Sequence, residues 1–205
     1  VSEIDDGVIK YERHFTPSPA LKSDQYSGLE HWRKKLYHLK LIGEYPDVFI
    51  GYGNLSQKIL GLDHLEFIIT ATQTGKFQDL TGEHYTIVED YDLEKNAIFA
   101  KGCMDASSEA LTHAAIYECS SDINVVFHIH DNYLWNKMLE EKYDSTAKEI
   151  PYGTVQMAKA VKQIVSGKTS GLFAMAGHLD GIVSWGNTLD EAGELILQLV
   201  KKFNP

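Results

Sequence analysis

The sequence is short of cysteine: Cys103 and Cys119 are the only two in 205 residues. Two thiols cannot build a disulfide framework or a cysteine-based zinc module, and they read as reduced side chains of a cytoplasmic protein. Long apolar runs are also missing. No stretch approaches the ~20 residues that a membrane-spanning helix needs. The opening VSEIDDGVIK lacks an initiator Met, as a processed or trimmed chain would. It carries neither the basic nor the apolar region of a signal peptide. Basic residues are too few for a general nucleic-acid or anionic-membrane binder, since 19 Lys and Arg stand against 29 Asp and Glu, a formal net charge of −10. An acidic protein can still hold a locally positive site for a small anion. No G-x-G-x-x-G precedes a helix, so a dinucleotide site is not expected, and there is no internal repeat.

What is present is the composition of an ordinary globular domain, with 43% apolar and 23% charged residues. The length suits one domain with a sizeable core. Residues 1–23 read as an irregular arm ending in TPSPALKS, and 24–205 as the domain proper. Leu29, Trp32, Leu36 and Leu39 fall at helical spacing and predict a helix over about 24–43, stopped by Gly43 and Pro46. DVFIGYGNLSQKIL predicts a short strand, a glycine turn and a second strand. LEFIIT (65–70) is a β-branched strand, and HYTIVEDYDLEKNAIFAKG a hairpin with Glu94–Asn96 at its tip. SSEALTHAAIYEC (107–119) reads as helix and INVVFHIH (123–130) as a central strand. DNYLWNKMLEE is helical, with Asp131 as its cap, and YGTVQMAKAVKQIVSG is an amphipathic helix ending at Gly167. GLFAMAG and GIVSWG are strands, and Thr188 with Glu191 forms a capping box for the last helix. This order is not regular βαβ alternation. It predicts an α/β fold of the α+β kind: a single domain with a mixed sheet covered by helices on both faces.

Five stretches carry candidate chemistry. In VVFHIH, His128 and His130 lie two residues apart on a strand, so both imidazoles project from one face at a separation that a single ion could bridge. Alone, such a pair is more often two ordinary rings. GYGNLS (51–56) has glycines that let backbone approach a ligand and polar groups that donate to an anion; alone, such a stretch is more often a plain turn. TATQTGK (70–76) sets hydroxyls, a glycine and Lys76 at a strand end, which suits a phosphate or merely a polar loop. ASSEALTH (106–113) puts two serines at a helix start, where N–H groups favour anions, with Glu109 in the first turn. His113, one turn on, reads as a packed helix histidine. His178 sits in a tight connection between two strands, beside Asp180 and Gly181. Two strand histidines, a third from a turn and a carboxylate make a three-nitrogen, one-oxygen set. That set suits tetrahedral zinc, with a displaceable carboxylate opening a position for substrate.

In this order the motifs resemble the class II aldolase/adducin family over about residues 30–200, and most closely its L-fuculose-phosphate aldolase and ribulose-phosphate 4-epimerase branch. Gly53 and Asn54 resemble the family's first phosphate turn, and Thr74 and Gly75 its second. Ser107, Ser108 and Glu109 match its serine pair and catalytic acid, His128 and His130 two zinc ligands, and His178 the third. The resemblance implies a mainly antiparallel central sheet, Zn2+ or another divalent metal, a small phosphorylated sugar as substrate and a homotetramer. The implied activity is that of a zinc-dependent aldolase. It would cleave a phosphorylated ketose to dihydroxyacetone phosphate and an aldehyde through a metal-stabilised enediolate, with Glu109 moving the proton. The family also implies alternatives: an epimerase or dehydratase on a sugar phosphate or a related unphosphorylated substrate, or a non-catalytic adducin-like binding module. The chain departs from the pattern at three places. His-Leu-Asp-Gly replaces a histidine followed at once by glycine, so Asp180 competes with His178 as third ligand. The TATQTG loop is two residues longer. The regions that carry the aldolases' tyrosines are short, leaving Tyr143 and Tyr152 as candidates.

Overall fold

The computed structural model describes residues 7–203; the first six residues of the expected arm, and Asn204 and Pro205, lie outside the described residues. The chain opens with strand β1 (Glu12–Pro17), which pairs in parallel with a strand formed some eighty residues later. The segment read as irregular therefore contains a sheet edge: the polar string ERHFTP has no apolar alternation, because it is exposed along most of its length.

Helix α1 (Ser23–His38) buries Leu29, Trp32 and Leu36, as its spacing predicts, but it ends five residues before Gly43 and leaves Leu39, expected on the same face, exposed. Lys40 adopts φ +61, Leu41 N–H donates to Leu36 O at 3.0 Å and Lys40 N–H to Tyr37 O at 2.9 Å. This is a Schellman stop with lysine where glycine is usual, which is why the sequence pointed to a later terminator. The residues released by the early stop form β2 (Gly43–Tyr45), which the sequence reading did not anticipate. It pairs antiparallel with β3 (Ile50–Tyr52) as a separate two-stranded ribbon.

The chain continues through β4 (Asn54–Lys58), β5 (Phe67–Thr70) and the predicted hairpin of β6 (Tyr85–Asp92) and β7 (Ala97–Gly102). Helix α2 (Ala110–Tyr117) starts three residues later than SSEALTH suggested. Then come β8 (Val125–His130), α3 (Asn132–Glu140), α4 (Val155–Val165), β9 (Gly171–Ala174), β10 (Gly181–Gly186) and α5 (Leu189–Phe203). Asp131 caps α3 by accepting from Leu134 N–H at 2.8 Å. Thr188 accepts from Glu191 N–H at 3.1 Å, while the Glu191 carboxylate takes the N–H of Asn187 at 2.7 Å.

Among the described residues the main sheet has eight strands in the order β1-β7-β6-β5-β4-β8-β10-β9, antiparallel except at the β1–β7 edge. One face is covered by α2 and α4, the other by α1, α3 and α5. The expected mixed, mainly antiparallel sheet with helices on both faces is the fold observed. Along β8 the alternation is strict: Val125, Phe127 and Ile129 enter the core under α1, α3 and α5, while Val126 enters the core under α2. His128 and His130 continue the Val126 face. Each fully buried Val, Ile or Phe of this strand is worth about 2 kcal/mol of burial. A one-residue slip would exchange the faces, so the register that packs the core also fixes where both histidines point.

Candidate metal and anion site

His128 and His130 reach the end of the α2-covered face, where the sheet core stops and loops take over. Their ring centroids lie 4.7 Å apart. The third ring comes from the turn between β9 and β10. His178 N–H donates to Met175 O, and Gly181 N–H donates back to His178 O, both at 3.0 Å. Leu179 and Asp180 are thereby taken up as the two central residues of a tight turn, with Asp180 at φ +64. His178 projects onto the pair, with centroids 5.3 Å from His128 and 4.8 Å from His130. One ring nitrogen from each of the three lies within 4.8 Å of the others. The Asp180 carboxylate instead accepts from Asn132 Nδ2 at 2.7 Å. Gly181 has no room for a side chain, since a Cβ there would fall 2.8 Å from His178 Cδ2 and 3.1 Å from His128 Nε2.

The set fits a metal. Burial holds all three histidines neutral, with His128 pushed down to about 3 and the others well below their ordinary value. Neutral imidazole is the form that ligates. His128 Nε2 is buried without a hydrogen-bond partner. Its Nδ1 lies 3.4 Å from Asn54 Nδ2, and Asn54 Oδ1 is likewise buried and unpartnered. Turning that amide by 180° would let Oδ1 accept a proton on Nδ1, leaving Nε2 for an ion. A tetrahedral zinc site with Zn–N bonds of ~2.1 Å separates its nitrogens by ~3.4 Å, so the rings need to draw together by up to ~1.4 Å from the 4.8 Å that bounds them here.

Glu109 is the N-cap residue of α2 rather than a first-turn residue, and it is buried, with Oε1 3.6 Å from His178 Nε2. Ser107 and Ser108, both buried, precede it, and Ser107 Oγ accepts the N–H of Glu109 at 3.3 Å. Gly53, at φ +79, and Asn54 lead into β4 across from His128. The Thr74–Gly75 loop also lines the cavity, and it rests so closely on β2 that a Cβ on Gly75 would fall 2.0 Å from Gly43 O. Thus Gly53, Asn54, Thr74, Gly75, Ser107, Ser108, Glu109, His128, His130 and His178 all line one cavity.

Several candidates stand elsewhere. Lys76 turns its ammonium over the Phe77 ring at 5.3 Å and is not part of the cavity wall. His113, on α2, is buried with its Nδ1 2.6 Å from Ser56 Oγ. Tyr143 lies beside Lys202. Tyr152 does line the cavity, its ring 4.6 Å from that of His178 and its hydroxyl held by the backbone of Val8.

Sequence reasoning passed over Tyr45, Tyr52, Gln73 and Arg33. Tyr45 Oη lies 2.9 Å from His130 Nδ1. Gln73 Oε1 accepts from Gly51 N–H at 2.9 Å and so joins the two glycine loops. Arg33 is fully buried and donates to the carbonyls of Thr74, Gly75, Phe77 and Gln78. Because a trans peptide sets C=O and the next N–H on opposite sides, this grip turns the N–H groups of Gly75 and Lys76 away from Arg33. The signal was an arginine on the apolar stripe of α1, directly beside Trp32.

A family model described as Class II Aldolase and Adducin N-terminal domain matches residues 40–203. Among solved structures, an L-fuculose-1-phosphate aldolase from Thermus thermophilus superposes with a TM-score of 0.63 at 19% identity, over 88% of this chain and 91% of its own. A sugar-phosphate aldolase from Thermotoga maritima gives 0.64 at 16% identity, over 87% and 91%. At such identities the likeness is one of fold. A search of curated proteins returns no match.

Proposed function

The chain belongs to the class II aldolase and adducin family, and on that premise we propose that it is a zinc-dependent aldolase. Its substrate would be a small phosphorylated ketose, cleaved to dihydroxyacetone phosphate and an aldehyde. The observation that carries the reading is one cavity in which three buried neutral histidines, a buried carboxylate and two glycine loops converge. His128, His130 and His178 would hold the metal. When bound, it supplies Lewis-acid polarisation of a substrate carbonyl.

The chain's own residues account for the remainder. Glu109 is the cavity's buried carboxylate and would move the proton on the carbon next to that carbonyl, as base in one direction and acid in the other. The hydroxyls of Ser107 and Ser108, together with the Gly53–Asn54 and Thr74–Gly75 loops, would take the phosphate. The buried Arg33 charge behind the second loop favours an anion there, even though the protein as a whole is acidic. Anchoring the phosphate fixes the distance from anion to reacting carbon and so presents that carbon to Glu109. The rings of Tyr52 and Tyr152 wall the cavity and limit water.

The test is proton exchange into dihydroxyacetone phosphate in D₂O, followed by NMR, which needs no knowledge of the aldehyde. Exchange is expected from the zinc-loaded protein, and it should vanish on chelation and fall by at least about 100-fold in Glu109→Gln. A zinc-loaded protein that exchanges nothing would exclude this donor and redirect the search to dehydration or another substrate.

A further inference from the structure

β8 delivers His130 as its last residue, with its backbone N–H donated to Leu41 O at 2.9 Å. The strand alone does not fix the imidazole, which can still turn about its side-chain bonds. The β2–β3 ribbon adds what the strand lacks. Tyr45 closes β2, and its backbone carbonyl takes the N–H of Phe49 at 2.8 Å across the ribbon's turn. Its Oη stands 2.9 Å from His130 Nδ1. The Tyr45 ring packs on Tyr52, with centroids 4.6 Å apart, and Tyr52 in turn lies 5.5 Å from the His130 ring. A neutral imidazole that ligates through Nε2 must carry its proton on Nδ1, and that proton needs an acceptor.

We infer that Tyr45 is a positioning residue of the metal centre: its phenol oxygen accepts the Nδ1 proton of His130, holds that tautomer and aims Nε2 at the space shared with His128 and His178. The inference rests on the three histidines being metal ligands. It assigns to the ribbon, a separate two-stranded element outside the main sheet, the task of orienting one of them. Tyr45→Phe retains the ring and its packing on Tyr52 and removes only the oxygen.

Two measurements decide it. In the metal-free wild-type chain at pH 7.5, ring ¹⁵N NMR is expected to show His130 as the Nδ1–H tautomer, and in Tyr45→Phe a mixture. In competition against a chromophoric chelator, zinc should bind Tyr45→Phe about 10-fold or more weakly than wild type, with the thermal midpoint of the metal-free form little changed. A wild-type Nε2–H tautomer, or zinc affinity in Tyr45→Phe within about twofold of wild type, overturns the role of Tyr45 and leaves the metal reading intact. A wild-type chain that binds no zinc overturns the proposed function itself, and the inference with it. The wild-type tautomer is readable even if Tyr45→Phe does not fold.

Discussion

At the scale of single residues, the third nitrogen of the cluster was the open question. His178 and Asp180 were both compatible with the sequence, and the choice turns on a two-residue turn. Placing Leu179 and Asp180 at the centre of that turn carries the carboxylate to Asn132 and brings the imidazole over His128 and His130. Outer partners of a metal ligand alone are worth 10–100-fold in affinity, so loss of a ligand should cost at least about 100-fold. His178→Ala is therefore expected to lose tight zinc binding in a chelator competition, whereas Asp180→Asn should stay within about threefold of wild type. The reverse pattern would make Asp180 the ligand. His128 and His130 were legible because a strand's period of two is a local property. The Tyr45 partner was not, because it depends on a ribbon that forms only after α1 stops early.

At the scale of elements, the proposed anion wall is a junction of three pieces: the Thr74–Gly75 loop, β2 and the buried guanidinium of α1. Gly75 is the closest point, with no room for a Cβ against Gly43 O. Gly75→Ala should force the loop off β2, costing about 1–3 kcal/mol in a urea melt, as overpacking does. It should also weaken inorganic phosphate binding, read by calorimetry. Zinc affinity should fall less than phosphate affinity, since Gly75 reaches the histidines through β2 and Tyr45 rather than directly. Equal losses of zinc and phosphate binding would mean that the metal and anion sites are not separable. The glycine and hydroxyl pattern of this loop was visible in the sequence, but its support was not. An arginine on the apolar stripe beside Trp32 signals a charge turned inward, but only the packing of α1 on the loop shows which carbonyls it holds.

At the scale of the whole molecule, an acidic chain buries four neutral histidines: His128, His130 and His178 in the cavity, and His113 on α2. Burial depresses all four below the value of about 6.5 expected for an unfolded chain. The unfolded state then binds more protons. The stability contributed by these groups is complete above pH ~6.5 and is lost as pH falls toward the folded values, which for His128 is about 3. Between pH 7.5 and 5.5 the metal-free protein should therefore lose stability, by on the order of 1 kcal/mol for each histidine that stays neutral in the folded state, measured by urea melts at the two pH values. That is a large part of an ordinary domain's stability, and acid unfolding is expected ahead of carboxylate titration. A flat profile across this window would mean that the histidines are protonated or solvated in the native state.

Elements with a local cause could be read from the chain alone. Alternating burial set β8 and the shared face of His128 and His130, turn residues set the β6–β7 hairpin, and capping side chains set α3 and α5. The family was legible too, because the order of short motifs along a chain needs no coordinates. Packing in three dimensions settled the rest. It drew β1 out of a polar arm by pairing it with a strand eighty residues away, stopped α1 at a lysine, and set the His178 ring beside His128 and His130 while turning Asp180 to Asn132. It also set Tyr45 and Arg33 behind the two halves of the cavity. Each of these depends on contacts between residues far apart in sequence, whose free energy appears only when the sheet has closed and its loops have packed.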